Sequence, residues 1–338
     1  MSTLPKLGLR LHSGLDPHRC VELAKAAEAH HFASVWFAEN PFERGVLPAA
    51  AACAAATQRI GIGIGVWNPY TRHPSLIAME IGALDALAQG RASLGIGSGI
   101  ASAIGKLGVD NKRPLAALRD TFQIVRGLLR GEEVSYSGTV FSADKVKLGY
   151  APSRSDLSIL MAARGDKALA LAGEIADGLV ISNMCPPAFT ARAVEIVRKA
   201  AAKASRTIPA RVVQYVPCAP GGDGAQARNT IKPALAAMLK QYWTLAQNVP
   251  SAKVALRHSG IPEADMAAAV DQIAAGDRAE DILDDRFIDT FAIAGSAEQC
   301  RERISAYARA GVSELALTLV GAQPIADMEY LGRALATR

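Results

Sequence analysis

The chain has no pair of cysteines at C-x-x-C spacing. Cys20, Cys53, Cys185, Cys218 and Cys300 are scattered and odd in number, which argues against both a disulfide frame and a zinc knuckle. It has no extended run of Lys or Arg, so its net charge of +5 marks no nucleic-acid or membrane patch and reads as a mild bias towards anionic small molecules. No apolar run is long enough to span a bilayer; the Ala-rich stretch Val46 to Ala56 is too short. Met1 to His12 lacks a basic segment followed by a long apolar one, so no signal peptide is expected. The histidines His12, His18, His30, His31, His73 and His258 form no H-E-x-x-H, and no catalytic metal is expected. The setting implied is a reduced, cytoplasmic globular protein without nucleic-acid or membrane partners.

Three familiar loops also fail. The fingerprint G-x-G-x-x-G breaks because Gly95 and Gly97 are followed by Ile100, and the register from Gly97 ends on Ser102. A phosphate loop from Gly99 to Gly105-Lys106 is one residue too long, with Leu107 where a hydroxyl is needed. Ile96 replaces the first glycine of a nucleophile elbow around Ser98.

What the chain does contain is clearest between Arg59 and Gly99. Two apolar runs, Ile60 to Val66 and Ala92 to Ile96, flank a helix-like segment from Ser75 to Ala88 with Leu76, Ile77, Met79, Ile81, Leu84 and Leu87 at helical spacing. Strand, loop, helix, strand is a βαβ crossover with parallel strands. The strands are apolar on successive residues, which argues for burial on both faces. Trp67, Asn68, Tyr70, Arg72, His73 and Ser98 fall just past the strand ends, where parallel α/β folds bind ligands.

The same alternation runs through the chain. Strands are expected at Lys6 to Leu11, Ser34 to Phe37, Leu157 to Ala162, Gly178 to Ser182, Ala210 to Cys218 and Glu314 to Leu319, with a shorter one from Phe291 to Ala294. A loop of small residues is expected from Gly97 to Gly108, and a hairpin excursion from Glu133 to Leu148 around Tyr136-Ser137-Gly138-Thr139. Ala225 to Phe287 is helical, with Pro233, Pro250 and Pro262 expected to break it into pieces. Eight parallel strands with intervening helices predict a closed (β/α)8 TIM barrel. It reads as one domain over residues 1–338, with residues 225–287 as a helical insertion between strands 7 and 8.

Candidate site residues follow from this layout. Ala162-Ala163-Arg164-Gly165-Asp166 leaves a strand and enters a helix. Its free N–H groups, the close approach Gly165 allows and the Arg164 charge suit a phosphate; the alternative is that Asp166 serves only as the helix cap. Trp67 and Tyr70 either dock a flat conjugated ring with help from Asn68 or plug the barrel end. Glu39, Asn40 and His12 end the first two strands, where a carboxylate and an imidazole can serve as acid and base or act as structural hydrogen-bonding groups.

The segments N-P-Y-T-R-H-P at Asn68 to Pro74 and L-D-A-L-A-Q-G-R-A-S-L-G-I-G-S-G at Leu84 to Gly99 resemble the luciferase-like hydride transferase and monooxygenase superfamily. The closest branch is that of coenzyme F420-dependent, methylenetetrahydromethanopterin reductase-like enzymes. S-V-W-F-A-E-N at Ser34, L-A-G-E-I-A-D-G at Leu171 and I-A-G-S-A-E-Q-C at Ile293 extend the match. The resemblance implies a barrel binding a flavin or deazaflavin at the carboxyl ends of its strands, with a cis Gly65–Val66 peptide bulging the third strand behind the ring. Trp67 and Asn68 would line the ring pocket, with Ser98 and Gly99 opposite; Ala163, Arg164, Gly165 and Asp166 would hold the phosphate. It also implies hydride transfer between F420 and a small organic substrate, with Glu39 managing protons and Asn40 and His12 as further candidates, in a homodimer. The alternatives are an FMN-dependent two-component monooxygenase and a non-catalytic flavin-binding paralogue. The chain departs from the resemblance at Arg10, where pterin reductases carry Glu, and at Glu39-Asn40, where sugar-phosphate and alcohol enzymes carry Asp-His.

Overall fold

The computed structural model describes residues 4–207 and 211–336. Strands and helices alternate from the start: β1 (Lys6–His12), α1 (Pro17–Ala29), β2 (Ser34–Ala38), α2 (Val46–Ala56), β3 (Gly61–Trp67), α3 (Pro74–Leu87) and β4 (Ala92–Ile96). Next come α4 (Ala101–Lys106), α5 (Pro114–Leu129), and the antiparallel hairpin of β5 (Val134–Ser137) and β6 (Ser142–Val146). The alternation resumes with β7 (Ile159–Ala162), α6 (Asp166–Ile175), β8 (Gly178–Ile181), α7 (Pro187–Lys203) and β9 (Arg211–Pro220). Five helices follow: α8 (Gly224–Asn248), α9 (Pro250–Arg257), α10 (Glu263–Ala275), α11 (Ala279–Ile282) and α12 (Asp285–Phe291). The chain finishes with β10 (Ile293–Gly295), α13 (Ala297–Arg309), β11 (Glu314–Leu319) and α14 (Pro324–Ala336).

Parallel pairing runs β1-β2-β3-β4-β7-β8-β9-β11 and closes on β1, so eight strands form the barrel while β10 flanks the end of β9. Local chemistry starts the helices where the chain must turn. The Asp16 carboxylate accepts from His18 N with Pro17 at the first position of α1, and Ser296 and Gln299 form a reciprocal capping box on α13.

Three expectations need correction. The small-residue stretch after β4 is not all loop: α4 forms because Ile104 is buried and anchors it. Pro233 does not break α8, which continues through it with Ile231, Leu235 and Leu239 buried in the insertion's own core. Packing of that apolar face outweighs the one hydrogen bond a proline forfeits. Phe291 closes α12 instead of opening a strand. Ala210, expected to start the seventh barrel strand, lies outside the described residues.

Successive strand residues face opposite ways, and both faces are covered. Outward positions such as Ile62, Ile64, Leu94 and Ile96 join the large core beneath the helices, whereas Trp36, Leu160, Val180, Val213, Tyr215 and Ala316 pack together inside the barrel. Glycine is required where Trp36 crosses the interior, because a Cβ on Gly63 would lie 2.5 Å from the indole. At the amino end the interior is ionic. Buried Glu314 accepts from Trp36 Nε1 at 2.6 Å, from Arg211 at 2.8 and 3.0 Å and from the Ser34 hydroxyl.

Asp327, in the first turn of α14, has a buried Oδ2 without a hydrogen-bond partner among the described residues, and burial raises its carboxyl to about 6. The unfolded value is about 3.9, so the folded state holds the proton more tightly. The group favours the fold at low pH, and that advantage is lost as pH rises from about 4 through about 6. Asp327→Asn is therefore expected to raise stability at pH 7.5 by on the order of 1 kcal/mol, after discounting for solvent screening, and by less at pH 5. Thermal unfolding at the two pH values checks this; equal shifts at both would contradict it.

Candidate active site

The site is built at the carboxyl mouth, starting from the end of β3. The Gly65–Val66 peptide is cis, and the register between β3 and β4 shifts between Gly65 and Trp67. Tyr215 holds the bulge from inside the barrel, its hydroxyl donating to the Gly65 carbonyl at 2.8 Å. Val66 packs so closely that Cβ atoms on Gly95 and Gly97 would lie 3.0 and 2.9 Å from its methyls, and one on Gly97 would also lie 3.3 Å from Ala162 Cβ. Gly95 and Gly97 thus make room for the Val66 side chain, and Val66 with Ala162 leaves a floor of short apolar side chains. Gly99, at φ +71°, brings the end of β4 against Asn68. The Asn68 Oδ1 accepts from Tyr70 N at 3.0 Å and Thr71 N at 3.1 Å, so its amide is fixed in orientation. Gly65, Val66, Asn68, Ser98 and Gly99 thus share one patch.

The two aromatics play other parts than ring docking. Trp67 is fully buried, with the Arg72 guanidinium 4.9 Å from its ring centre, so it supports the patch from behind and does not line it. Tyr70 leans on Phe141 beside the hairpin, ring centres 6.3 Å apart, and closes that edge of the barrel.

The expected acid–base residues are already engaged. Both Glu39 oxygens accept from Arg72, at 2.6 and 2.8 Å, and Arg72 also reaches Glu80. Proton delivery from Glu39 would require that pair to open. Asn40 donates to Glu43 at 3.0 Å, which with Ser13 keeps the Glu43 carboxyl below the usual carboxylate range. His12 is exposed, and its Nδ1 accepts from Gly14 N at 3.1 Å, a turn-forming role.

The anion end lies across the mouth. Gly165 caps α6 with its backbone alone, and Asp166 follows as the first helical residue. Arg192 donates to both Asp166 oxygens, at 2.8 and 2.7 Å, and these bonds hold the carboxyl below its ordinary range against partial desolvation. Asp166 is thereby a neutralised partner, not a side-chain cap. Arg164, next to half-buried Ala163, contacts the Ser182 hydroxyl and lies 4.9 Å from the Tyr242 ring centre of α8, and no carboxylate pairs with it among the described residues. Ser251 of α9 stands 3.4 Å from the place a Gly165 Cβ would occupy, so the insertion roofs this corner.

Sequence reading missed Tyr215, Ser182, Arg192 and Tyr242. Tyr215 had a usable signal in its inward register two residues past Val213; the others come from distant segments.

Whether these residues fit a flat ring with a phosphate tail can be tested on buried polar atoms. Among the buried polar atoms without partners, Arg164 Nε and Asn183 Oδ1 lie just past barrel-strand ends and Arg10 Nε within β1, whereas Trp67 Nε1 and Tyr70 Oη belong to the supporting aromatics and Arg91 Nε, Arg303 Nε and Asp327 Oδ2 lie before β4, in α13 and in α14. Native interiors rarely leave such groups unmet. A cation without a carboxylate partner near a helix start, with the low apolar floor of Val66 and Ala162, fits an anionic tail and a planar body.

An eight-stranded barrel with this mouth defines a (β/α)8 enzyme whose site lies at the carboxyl ends of its strands. The chain belongs to the luciferase-like monooxygenase family, whose profile matches residues 1–314. It is 30% identical over 296 residues to the 5,10-methylenetetrahydromethanopterin reductase of Methanolobus tindarius, covering 86% of this chain and 87% of that one. The structure of coenzyme F420-dependent tetrahydromethanopterin reductase from Methanopyrus kandleri superposes with a TM-score of 0.86 at 25% identity, covering 98% of each chain. The oxygenating constituent of 3,6-diketocamphane monooxygenase from Pseudomonas putida, in complex with FMN, shares the fold with a TM-score of 0.74 at 18% identity, covering 99% of each chain. The protein is accordingly an F420- or flavin-dependent oxidoreductase. No helix among the described residues is long and apolar enough to cross a membrane.

Proposed function

We propose that this enzyme uses coenzyme F420 for hydride transfer to or from a small organic substrate. The observation that carries this reading is the pairing of a floor of short apolar side chains, Val66 seated over Gly95 and Gly97 beside Ala162, with Arg164, which has no carboxylate partner among the described residues, just before α6. The reductase likeness over most of the chain supports F420 over FMN.

The deazaflavin, when bound, supplies a two-electron hydride donor or acceptor. Val66 and Ala162 would cover one face of a bound ring and leave the other for substrate. The Asn68 amide, oriented by the two backbone bonds to its oxygen, offers Nδ2 as a donor to a ring carbonyl. Arg164 and the α6 N–H groups hold the phosphate, and Asp166 does not oppose it because Arg192 neutralises its charge. Tyr242 and Ser251 from the insertion exclude water at that corner.

Mixing the purified protein with F420 is expected to change deazaflavin fluorescence saturably in the micromolar range, with no oxygen uptake when the reduced cofactor is supplied. Oxygen uptake that depends on reduced FMN and ignores F420 would assign the chain to the monooxygenases instead. Absence of binding by either cofactor would mark a non-catalytic paralogue.

A further inference from the structure

We propose that Arg10 is an anion receptor for the substrate, and that the substrate is a small organic carboxylate. The proposal rests on the F420 reading above, which assigns the β3, β4 and β7 side of the mouth to the cofactor. What remains for substrate is the β11–β1–β2 side, where Glu39 is paired with Arg72 and Arg10 has no carboxylate partner among the described residues. Its guanidinium lies 5.0 Å from the Tyr215 ring centre, and Nη1 donates to Thr318 Oγ1 at 3.3 Å. That is its one hydrogen bond among the described residues, out of five N–H donors, and its Nε is buried without a partner.

The contrast inside the same barrel is informative. Arg211, at the amino end, makes two bonds to Glu314 and one to Ser93. Glu314 thus compensates Arg211 and is not available to Arg10. The other acids around the mouth are likewise engaged, Glu39 by Arg72, Glu43 by Ser13 and Asn40, and Asp166 by Arg192. Arg10 is left as a half-buried cation with no carboxylate partner among the described residues and a buried Nε that no group meets, a state that a ligand acceptor would relieve. A carboxylate matches a guanidinium's paired donors.

Tyr215 links this cation to the slot. Its ring lies against Arg10 while its hydroxyl donates to the Gly65 carbonyl, so one aromatic ring separates the cation from the β3 bulge. A flat acid with its reacting carbon that far from its carboxylate would reach the open face of the cofactor.

The test uses benzoate and benzamide, equal in shape and different in charge, titrated calorimetrically into the wild type, Arg10→Met and Arg10→Lys. Each protein is measured with and without saturating F420, and its F420 affinity is measured separately by fluorescence. The wild type is expected to prefer benzoate about tenfold or more, Arg10→Met to lose that preference to within threefold, and Arg10→Lys to keep part of it, with F420 affinity within twofold throughout. If Arg10→Met fails to fold, Arg10→Gln replaces it, with F420 binding as the check of a native mouth. Persistence of the preference in the neutral variant, or its absence from the wild type, overturns the proposal. A tenfold loss of F420 affinity in Arg10→Met overturns it too, because Arg10 would then belong to the cofactor. An Arg10-dependent benzoate preference in a protein that binds no F420 upholds Arg10 as receptor and removes the cofactor reading instead.

Discussion

Glu314→Ala is expected to cost about 3 kcal/mol or more of folding stability, one of the two largest effects in this chain. The carboxylate is 3% exposed and is the shared acceptor for Arg211, the Trp36 indole N–H and the Ser34 hydroxyl at the closed end of the barrel. Truncation strands the fully buried Trp36 indole N–H and the Ser34 hydroxyl and removes two of the three bonds of Arg211, whose side chain is 29% exposed. Each unmet group costs on the order of 1–3 kcal/mol. The loss comes from the stranded partners more than from the ion pair itself, so Arg211→Met combined with Glu314→Ala should cost less than the sum of the Arg211→Met and Glu314→Ala single variants. Denaturant midpoints of the two single variants and the double variant measure the coupling. A loss below 1 kcal/mol for Glu314→Ala would mean that solvent reaches the network freely. Because the network lies at the far end from the mouth, Glu314→Gln, once folded, should retain F420 affinity within about twofold.

The barrel was legible because parallel strands buried on both faces leave long apolar runs, and those runs recur between helical periods. The division into inside and outside was not. Without polar alternation, the inward positions are marked only by small or charged residues in register, such as Gly8, Ser34, Gly63, Ser93 and Gly95, and each is ambiguous alone. Pro233 misled because proline's local cost is visible in sequence while the apolar face that outweighs it is formed by packing. The small-residue stretch after β4 misled in the opposite sense, since one buried side chain, Ile104, sufficed to anchor a short helix.

The mouth was legible as a location more than as a set of roles. Asn68, Ser98, Gly99 and Arg164 were marked by their places just past strand ends, and the cis Gly65–Val66 link by the resemblance. What each side chain does there depends on partners far along the chain. Glu39 meets Arg72 across 33 residues, Asp166 meets Arg192 across 26, and Tyr215 meets Gly65 across 150. Those pairings place an expected acid–base carboxylate in an ion pair and make an expected cap a charge-neutralised neighbour.

Arg164→Met is expected to weaken F420 binding by about 10- to 100-fold while changing the affinity for the phosphate-free deazaflavin chromophore less than threefold. The size follows from the surroundings. Arg164 is enclosed by the Ser182 hydroxyl and the Tyr242 ring, with the insertion shielding it from solvent, so a phosphate there gains a charge-assisted bond that water does not match. Methionine keeps the length and the packing against Tyr242 while removing the charge. Asp166→Asn should change little, because Arg192 already cancels that carboxylate and loses only an exposed partner. The ratio of affinities for the phosphorylated and phosphate-free ligands isolates the anion contact from the ring contact. The same ratio taken with FMN and riboflavin does so for the other cofactor. A wild-type ratio near one for both pairs would show that Arg164 and the start of α6 hold no phosphate, and that the lone guanidinium meets a different anion. A ratio that collapses in Arg164→Met for F420 alone would tie this corner of the barrel to the deazaflavin.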